Sequence, residues 1–344
     1  MSNAEQLQKL INEVLQATAD PFSAKSATGN GYTAAEYHDT YDFINTTQLN
    51  LSGRSALITG ASKGIGRSTA VSYARAGCSK LVLAARSALE EVEQEVLDAA
   101  EAAGKPVPYI LKLTLDVTEE QSVKKAAEKL RTTLGDGLDI LVNNAGYLGE
   151  WKPIVETSAD DFLYHLMVNI FGPFLCTKYF LPMILKKSEG LKTVANVSSV
   201  AAHMFTGPGS GYLVSKFAEL RFTEVLDLDC KSDGLITFSY HPGGVDTELS
   251  RHLPKIMQEN LIDTPQLGGD TMVWLTAKRR EWLCGRYVSC NWDMQELEKR
   301  QQEIVANNEL KVRLRVGGPP DLTEDRRDSK AAAAVANFGK LLRT

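Results

Sequence analysis

The run Ala56-Leu57-Ile58-Thr59-Gly60-Ala61-Ser62-Lys63-Gly64-Ile65-Gly66 joins a wholly apolar segment to a glycine-rich turn, and a helical pattern follows to about residue 76. Consecutive apolar residues of this kind suit a parallel strand buried on both faces. Glycines at 60, 64 and 66 permit a tight turn and a close backbone approach to a pyrophosphate seated at the following helix N-terminus. The spacing is Gly-x3-Gly-x-Gly rather than the commoner Gly-x-Gly-x2-Gly. Taken alone, the same residues would also make a glycine-rich turn that binds nothing.

Working outward, apolar strand-like runs recur near 55–59, 80–84, 108–115, 138–142, 192–197, 235–240 and 286–289. Helical stretches lie between them, near 64–76, 87–103, 119–133, 159–187 and 211–231. Such alternation predicts an α/β fold, a Rossmann-type doubly wound parallel sheet of about seven strands flanked by helices. Residues 51–292 form this dinucleotide-binding and catalytic domain. Residues 1–50 carry an amphipathic helix over 5–17, with Leu7, Leu10, Ile11, Val14 and Leu15 on one face, and then an irregular arm. Residues 293–344 form a C-terminal helical extension, with a charged helix near 293–309 and an alanine-rich segment over 330–342.

Ser199, Tyr212 and Lys216 carry the chemistry. Tyrosine and lysine at i and i+4 share one helix face, where the ammonium favours the phenolate. An ordinary tyrosine, near pKa ~10, is too weak an acid for neutral pH, and moving it two to three units takes roughly 3–4 kcal/mol. A serine hydroxyl beside it would hold a carbonyl or alcohol oxygen while the tyrosine gives or takes the proton.

The chain resembles the short-chain dehydrogenase/reductase family. The resemblance rests on Thr-Gly-x3-Gly-Ile-Gly at 59–66, Asn-Asn-Ala-Gly at 143–146, Asn169, Ser199, Tyr212 and Lys216, and Pro242-Gly243-Gly244-Val245-Asp246-Thr247. It spans about residues 53–290, with a softer likeness to oxidoreductases of fungal secondary metabolism. It implies a catalytic set of Asn169, Ser199, Tyr212 and Lys216. Of the adjacent serines, Ser199 keeps the family's spacing to Tyr212, and Asn169 would reach Lys216 through a water. It also implies a dinucleotide lying on Thr59, Gly60, Ser62, Lys63, Gly64, Ile65 and Gly66. Further contacts would come from Arg86, Asp116, Asn143, Ala145 and Gly146, from Tyr212 and Lys216, and from Pro242, Gly243, Val245 and Thr247.

The second strand ends Ala85-Arg86-Ser87, with no acid to grip a ribose 2′-hydroxyl. Arg86 and Lys63 together suit a 2′-phosphate, so NADP(H) is expected over NAD(H). Other readings of the same residues are plain surface charge for Lys63 and Arg86, a helix cap for Asp116 and a satisfied core amide for Asn169. Gly60-Ala61-Ser62-Lys63-Gly64 also spells the nucleophile elbow of an α/β-hydrolase with Ser62 as nucleophile. A third class is an inactive cofactor-binding redox sensor or assembly module, whose usual sign, a broken catalytic set, is missing here.

Composition narrows the partners. The 344 residues hold 38 Lys plus Arg against 43 Asp plus Glu, a net charge of −5 that speaks against a nucleic-acid surface. Five cysteines without Cys-x2-Cys spacing suit a reducing, cytoplasmic setting, and no histidine spacing suggests a metal. Phe162–Leu185 is long enough to span a bilayer, but His165, Asn169, Lys178 and two prolines interrupt it, so a buried helix is expected rather than a membrane. Loops 147–158, 200–211 and 247–266, with Trp151, His203, Met204, Phe205, Leu249, His252, Leu253, Ile256 and Met257, should wall in a mid-sized apolar carbonyl or alcohol substrate. Surplus apolar residues on the helices at 159–187 and 211–231 point to a homodimer or homotetramer. Folded-back terminal arms are the alternative cover.

Overall fold

Seven strands form one parallel sheet in the order β3-β2-β1-β4-β5-β6-β7. They are β1 (Ser55–Thr59), β2 (Lys80–Ala85), β3 (Tyr109–Thr114), β4 (Ile140–Asn143), β5 (Thr193–Val197), β6 (Ile236–His241) and β7 (Arg286–Ser289). The computed structural model describes residues 28–135, 137–204 and 208–314. The order reverses direction between β1 and β4, and such a switch point opens a crevice at the carboxyl ends of the strands.

The strands form where the sequence is apolar without alternation, because both faces are covered. Every residue of β1, β4, β5 and β6 is buried, whereas edge strand β3 alternates. Successive side chains still point to opposite faces. Ala56 and Ile58 enter one core with α1 (Gly64–Arg75), α2 (Glu90–Ala102) and α7 (Pro265–Thr276). Leu57 enters the other, with α3 (Glu120–Leu134) and α5 (Gly172–Lys186). The other helices are α4 (Ala159–Leu166), α6 (Ser210–Cys230), α8 (Met294–Lys299) and α9 (Gln301–Ala306), with a single helical turn at Lys255–Gln258.

Three stretches depart from the sequence reading. The helix expected over 159–187 is broken by a π-helical turn, Met167–Phe171, between α4 and α5. As a whole, Ala159–Lys186 is long and apolar enough to cross a membrane by length and composition. Here Leu175, Phe180, Met183 and Ile184 are instead buried in the core. The charged helix near 293–309 is two short helices that meet at Arg300.

Helix α7 was not anticipated. Its residues from Leu267 to Thr276 are all buried, so it shows no polar face and no periodicity. Its start was signalled locally. The Thr264 hydroxyl accepts from Leu267 N at 3.2 Å, and Pro265 occupies the first turn, where its missing N–H is harmless.

The arm over 28–50 lies across the β7 end of the sheet. Glu36 bridges Trp292, Tyr37 N donates to Asn291 O at 2.8 Å, and the Trp292 indole donates to Gly29 O at 2.8 Å. Ile44 and Leu51 are fully buried with the core. The expected helix over 5–17 and the alanine-rich segment over 330–342 lie outside the described residues.

Candidate active site

At the carboxyl ends of β1, β4, β5 and β6 the sheet opens into a cleft of about 640 Å³. Its floor is the glycine turn. Gly60 has φ +65°, and a Cβ there would stand 2.9 Å from Ala145 Cα. A Cβ on Gly66 would stand 2.3 Å from Gly60 O. The turn therefore closes only without side chains. Helix α1 follows with no side-chain cap from Lys63, which leaves first-turn amides for an anion. Gly60, Ser62, Lys63, Gly64 and Ile65 line the cleft. A cradle that side chains would fill, at an uncapped helix start, fits a dinucleotide pyrophosphate.

Tyr212 and Lys216 stand on the opposite wall, one turn apart on α6. The Lys216 ammonium lies 5.8 Å from the Tyr212 ring centroid. It donates to Val197 O at 2.8 Å and to Glu219 Oε2 at 2.9 Å. Burial alone would lower the Lys216 pKa, but the neighbouring Glu219 and Tyr212 charges outweigh it and hold the lysine above its ordinary value. Trp151 and His165 flank the tyrosine, with ring centroids 6.5 and 6.4 Å away. His165 is fixed by an Nδ1 contact to Asp161 O at 2.7 Å, while its Nε2 accepts from Gly149 N at 3.0 Å.

Ser199 begins the 3-10 turn Val200–His203, and its hydroxyl accepts from Ala201 N at 3.1 Å. Ser198 is committed elsewhere, donating to Lys216 O at 2.9 Å. Beside them, burial pushes His203 and His241 down to about 4, which leaves both imidazoles neutral near pH 7. Asn169 sits in the π turn with its amide fully engaged. Its Oδ1 accepts from Tyr147 N at 2.8 Å, and its Nδ2 donates to Tyr147 O and to Ser215 Oγ, both at 2.9 Å. It thus ties α4–α5 to α6 and to the loop after β4.

At the far end Arg86 donates to the Tyr164 hydroxyl at 2.9 Å and lies 3.7 Å from Asp116. Ser87 donates to Ser62 at 2.9 Å, which joins the β2 end to the glycine turn. Lys63 reaches across the cleft to Glu248 at 2.5 Å, both groups 60 % exposed. Asp116 accepts from Thr118 N and Thr118 Oγ1 at 2.9 and 2.7 Å. It therefore holds its own turn, while α3 starts beyond it at Glu120 with no side-chain cap.

The structure brings Gly60, Ser62, Lys63, Gly64, Ile65, Arg86, Asp116, Ala145, Gly146, Tyr212, Lys216, Pro242 and Thr247 to the cleft wall. Thr59, Gly66, Asn143, Asn169, Gly243 and Val245 do not line the cleft themselves, and half-buried Ser199 stands directly after Ser198, which does. Asn143 is a correction of position. Its side chain is buried under α5, donating to Asn196 Oδ1 at 2.8 Å across the β4–β5 register and to Thr177 Oγ1 at 3.3 Å. The next residue, Asn144, faces the cleft instead and donates to Thr59 O at 2.8 Å. Thr59 supports the same loop by accepting from Asn144 N and Ala145 N, both at 3.0 Å. Tyr147, Val168 and Glu248 also stand on the wall. Tyr147 and Glu248 were not singled out, though they fall in the loops 147–158 and 247–266 expected over the substrate, and Val168 had no local signal.

The family model for short chain dehydrogenases matches residues 54–257. The short chain dehydrogenase mpl6 of Monascus purpureus is 44 % identical over 288 residues, covering 84 % of this chain and 98 % of its own. An NADP-dependent 3-hydroxy acid dehydrogenase of Schizosaccharomyces pombe is 34 % identical over 202 residues, 58 % of this chain and 74 % of its own. Among solved structures, a short-chain type dehydrogenase/reductase from Mycobacterium marinum superposes with a TM-score of 0.62 at 25 % identity, covering 72 % of this chain and 97 % of that one. With the glycine cradle, the Tyr212–Lys216 wall and these matches together, the chain belongs to the short-chain dehydrogenase/reductase family of NAD(P)-dependent oxidoreductases.

Proposed function

We propose that this protein uses NADP(H) to reduce a ketone or aldehyde of a mid-sized apolar metabolite to an alcohol, or runs the reverse reaction. The observation that carries the reading is Tyr212 and Lys216 facing the glycine cradle across one cleft. The bound nicotinamide would supply or accept the hydride. Tyr212 gives its hydroxyl proton to the substrate oxygen in reduction and takes it back in oxidation. Lys216 supports the phenolate by its charge, Ser199 steadies the substrate oxygen, and Asn169 fixes the loop beneath. Trp151 beside Tyr212, with Leu148, Leu249 and His252 on the cleft wall, supports an apolar, partly aromatic substrate. The fungal relatives support a place in secondary metabolism, and free, mostly buried cysteines support a cytoplasmic location.

The hydrolase reading loses support at Ser62, whose hydroxyl partner is Ser87 rather than a histidine. An inactive sensor is disfavoured by an intact Tyr212–Lys216 pair on the wall. Loss of reduced nicotinamide in the presence of a ketone panel tests both alternatives at once.

For NADP(H) the support is Arg86 and Lys63 at one end of the cleft, with Ser62 and Ser87 between them. Arg86→Ala should weaken NADPH binding by one to two decades, the scale of a lost charge-assisted contact of about 1.5–3 kcal/mol. NADH binding should hardly change. Titration of both cofactors checks this, and a wild type that prefers NADH would refute the assignment.

A homodimer or homotetramer is supported by an apolar face on α4–α6. Leu163, Phe174, Val214, Phe217 and Leu228 are all exposed there. Among the described residues the arm over 28–50 packs at the β7 end, and Lys311–Arg313 meet Arg221, Glu224 and Asp227 of α6. Light scattering should report a dimer or tetramer, and Phe217→Glu with Leu228→Glu should give monomers. A wild-type monomer would exclude this assembly.

A further inference from the structure

A carboxylate is buried behind Lys216. Glu219 is 1 % exposed and lies one turn further along α6, where it accepts from the Lys216 ammonium at 2.9 Å. An unpaired charge at such depth would be costly, and among the described residues Lys216 is the charge that acts on it. Of the other acids of that helix, Glu224 pairs with Arg221 and Arg313, Asp227 pairs with Lys311, and Asp229 is exposed ten residues further on. On the 3-10 turn and β6, which pack against that helix, His203 and His241 are kept neutral by burial. Thr223, one turn on, donates to Glu219 O at 2.8 Å and accepts from Asn196 and Ser239.

We propose that Glu219 is a positioning residue for the reaction, one that anchors the Lys216 ammonium and sets how much of its positive field reaches Tyr212. This rests on the Tyr212–Lys216 reading above. A lysine ammonium has three donors. Val197 O and Glu219 take two of them from behind, and the third is left for the cleft. The anchor thus fixes where the ammonium stands without occupying the direction it works in. The charge acts separately. An ionised Glu219 partly cancels the lysine field at the tyrosine ring, 5.8 Å from that same nitrogen. Burial pushes the Glu219 carboxyl up to about 7, with Lys216 pulling the other way. The cancellation is therefore absent in acid and present above neutrality.

The sign follows. In oxidation the tyrosine works as a base, so the rate rises with pH as the phenolate forms. Removing the Glu219 charge leaves the lysine unopposed and favours the phenolate, so the rise should move to lower pH. With the carboxylate within roughly 9 Å of the ring, an effective dielectric near 20 gives a shift of about one pH unit. The falling limb in the reductive direction should move the same way.

The test compares Glu219→Gln, which keeps an acceptor, with Glu219→Leu, which keeps neither acceptor nor charge. Rate against pH in both directions, cofactor affinity by titration and thermal unfolding are measured on the full chain. Glu219→Gln should keep cofactor affinity and shift both limbs about one unit to acid. Glu219→Leu should show that shift and also weaken cofactor binding about tenfold, because the ammonium has lost its anchor. A merely structural role would lower the melting temperature and leave the limbs in place. Unshifted or alkaline-shifted limbs in Glu219→Gln overturn the proposal. Tyr212→Phe separates the two layers: full activity there removes the underlying reading, whereas an inactive Tyr212→Phe with an unshifted Glu219→Gln removes only the role of Glu219.

Discussion

Tyr212→Phe is expected to cut turnover by at least ~10²-fold, the usual scale of general acid–base catalysis, with little change in cofactor affinity. The substitution keeps the ring, which packs near Trp151 and His165, and removes only the hydroxyl. No described neighbour can easily take over its proton. His165 is tied at both nitrogens to Asp161 O and Gly149 N, and Lys216 is held by Val197 O and Glu219. The fold should survive, because the hydroxyl belongs to the cleft wall and not to the core. Steady-state rates beside cofactor titration check this, and near-normal turnover would remove Tyr212 from the chemistry.

Asp139→Ala should do the reverse, costing stability while sparing the chemistry. Asp139 lies just before β4, at the end of the sheet away from the cleft, and is fully buried. It accepts from Ser55 N and Ser55 Oγ, both at 2.9 Å, and from Leu191 N at 3.2 Å. It also pairs with Lys187 at 2.5 Å and Arg54 at 3.3 Å. Alanine would strand Ser55 N, Leu191 N and the Lys187 ammonium at the start of three adjacent strands, while Ser55 Oγ keeps Gly137 O and Arg54 keeps Glu189 O. Breaking a buried pair in this way costs about 3–5 kcal/mol, which for a domain of this size lowers the melting temperature by roughly 10 °C. Activity per folded molecule should stay near wild type. An unchanged melting temperature would show that the network does not hold the sheet.

The contrast between these two sites follows what the sequence displays. The strands were legible because a doubly covered sheet needs unbroken apolar runs. The glycine turn was legible because only glycine survives at Gly60 and Gly66. Helix α7 was not, since it is buried all round and its Gly268-Gly269 pair reads as loop. Asn143 and Asn144 look alike in sequence, and only the pleat, which points Asn143 at Asn196, tells them apart. The π turn at Asn169 leaves no pattern, because an extra residue in one turn merely shifts the helical phase. Glu219 was hidden for a related reason: an acid on a long helix reads as solvated until the fold turns that position toward Lys216. The loops that would select a substrate are short-range and irregular, and their residues indicate character rather than a particular shape.

Hydride transfer that depends on Tyr212 is the centre of the account. The most direct test incubates the protein with NADPH dideuterated at nicotinamide C4 and a panel of bulky ketones, followed by mass spectrometry of the alcohols formed. Wild type should give an alcohol carrying one deuterium on its carbinol carbon, and Tyr212→Phe should leave the ketone essentially unreduced. Alcohol without deuterium, no product from any ketone, or equal labelling by Tyr212→Phe would contradict it.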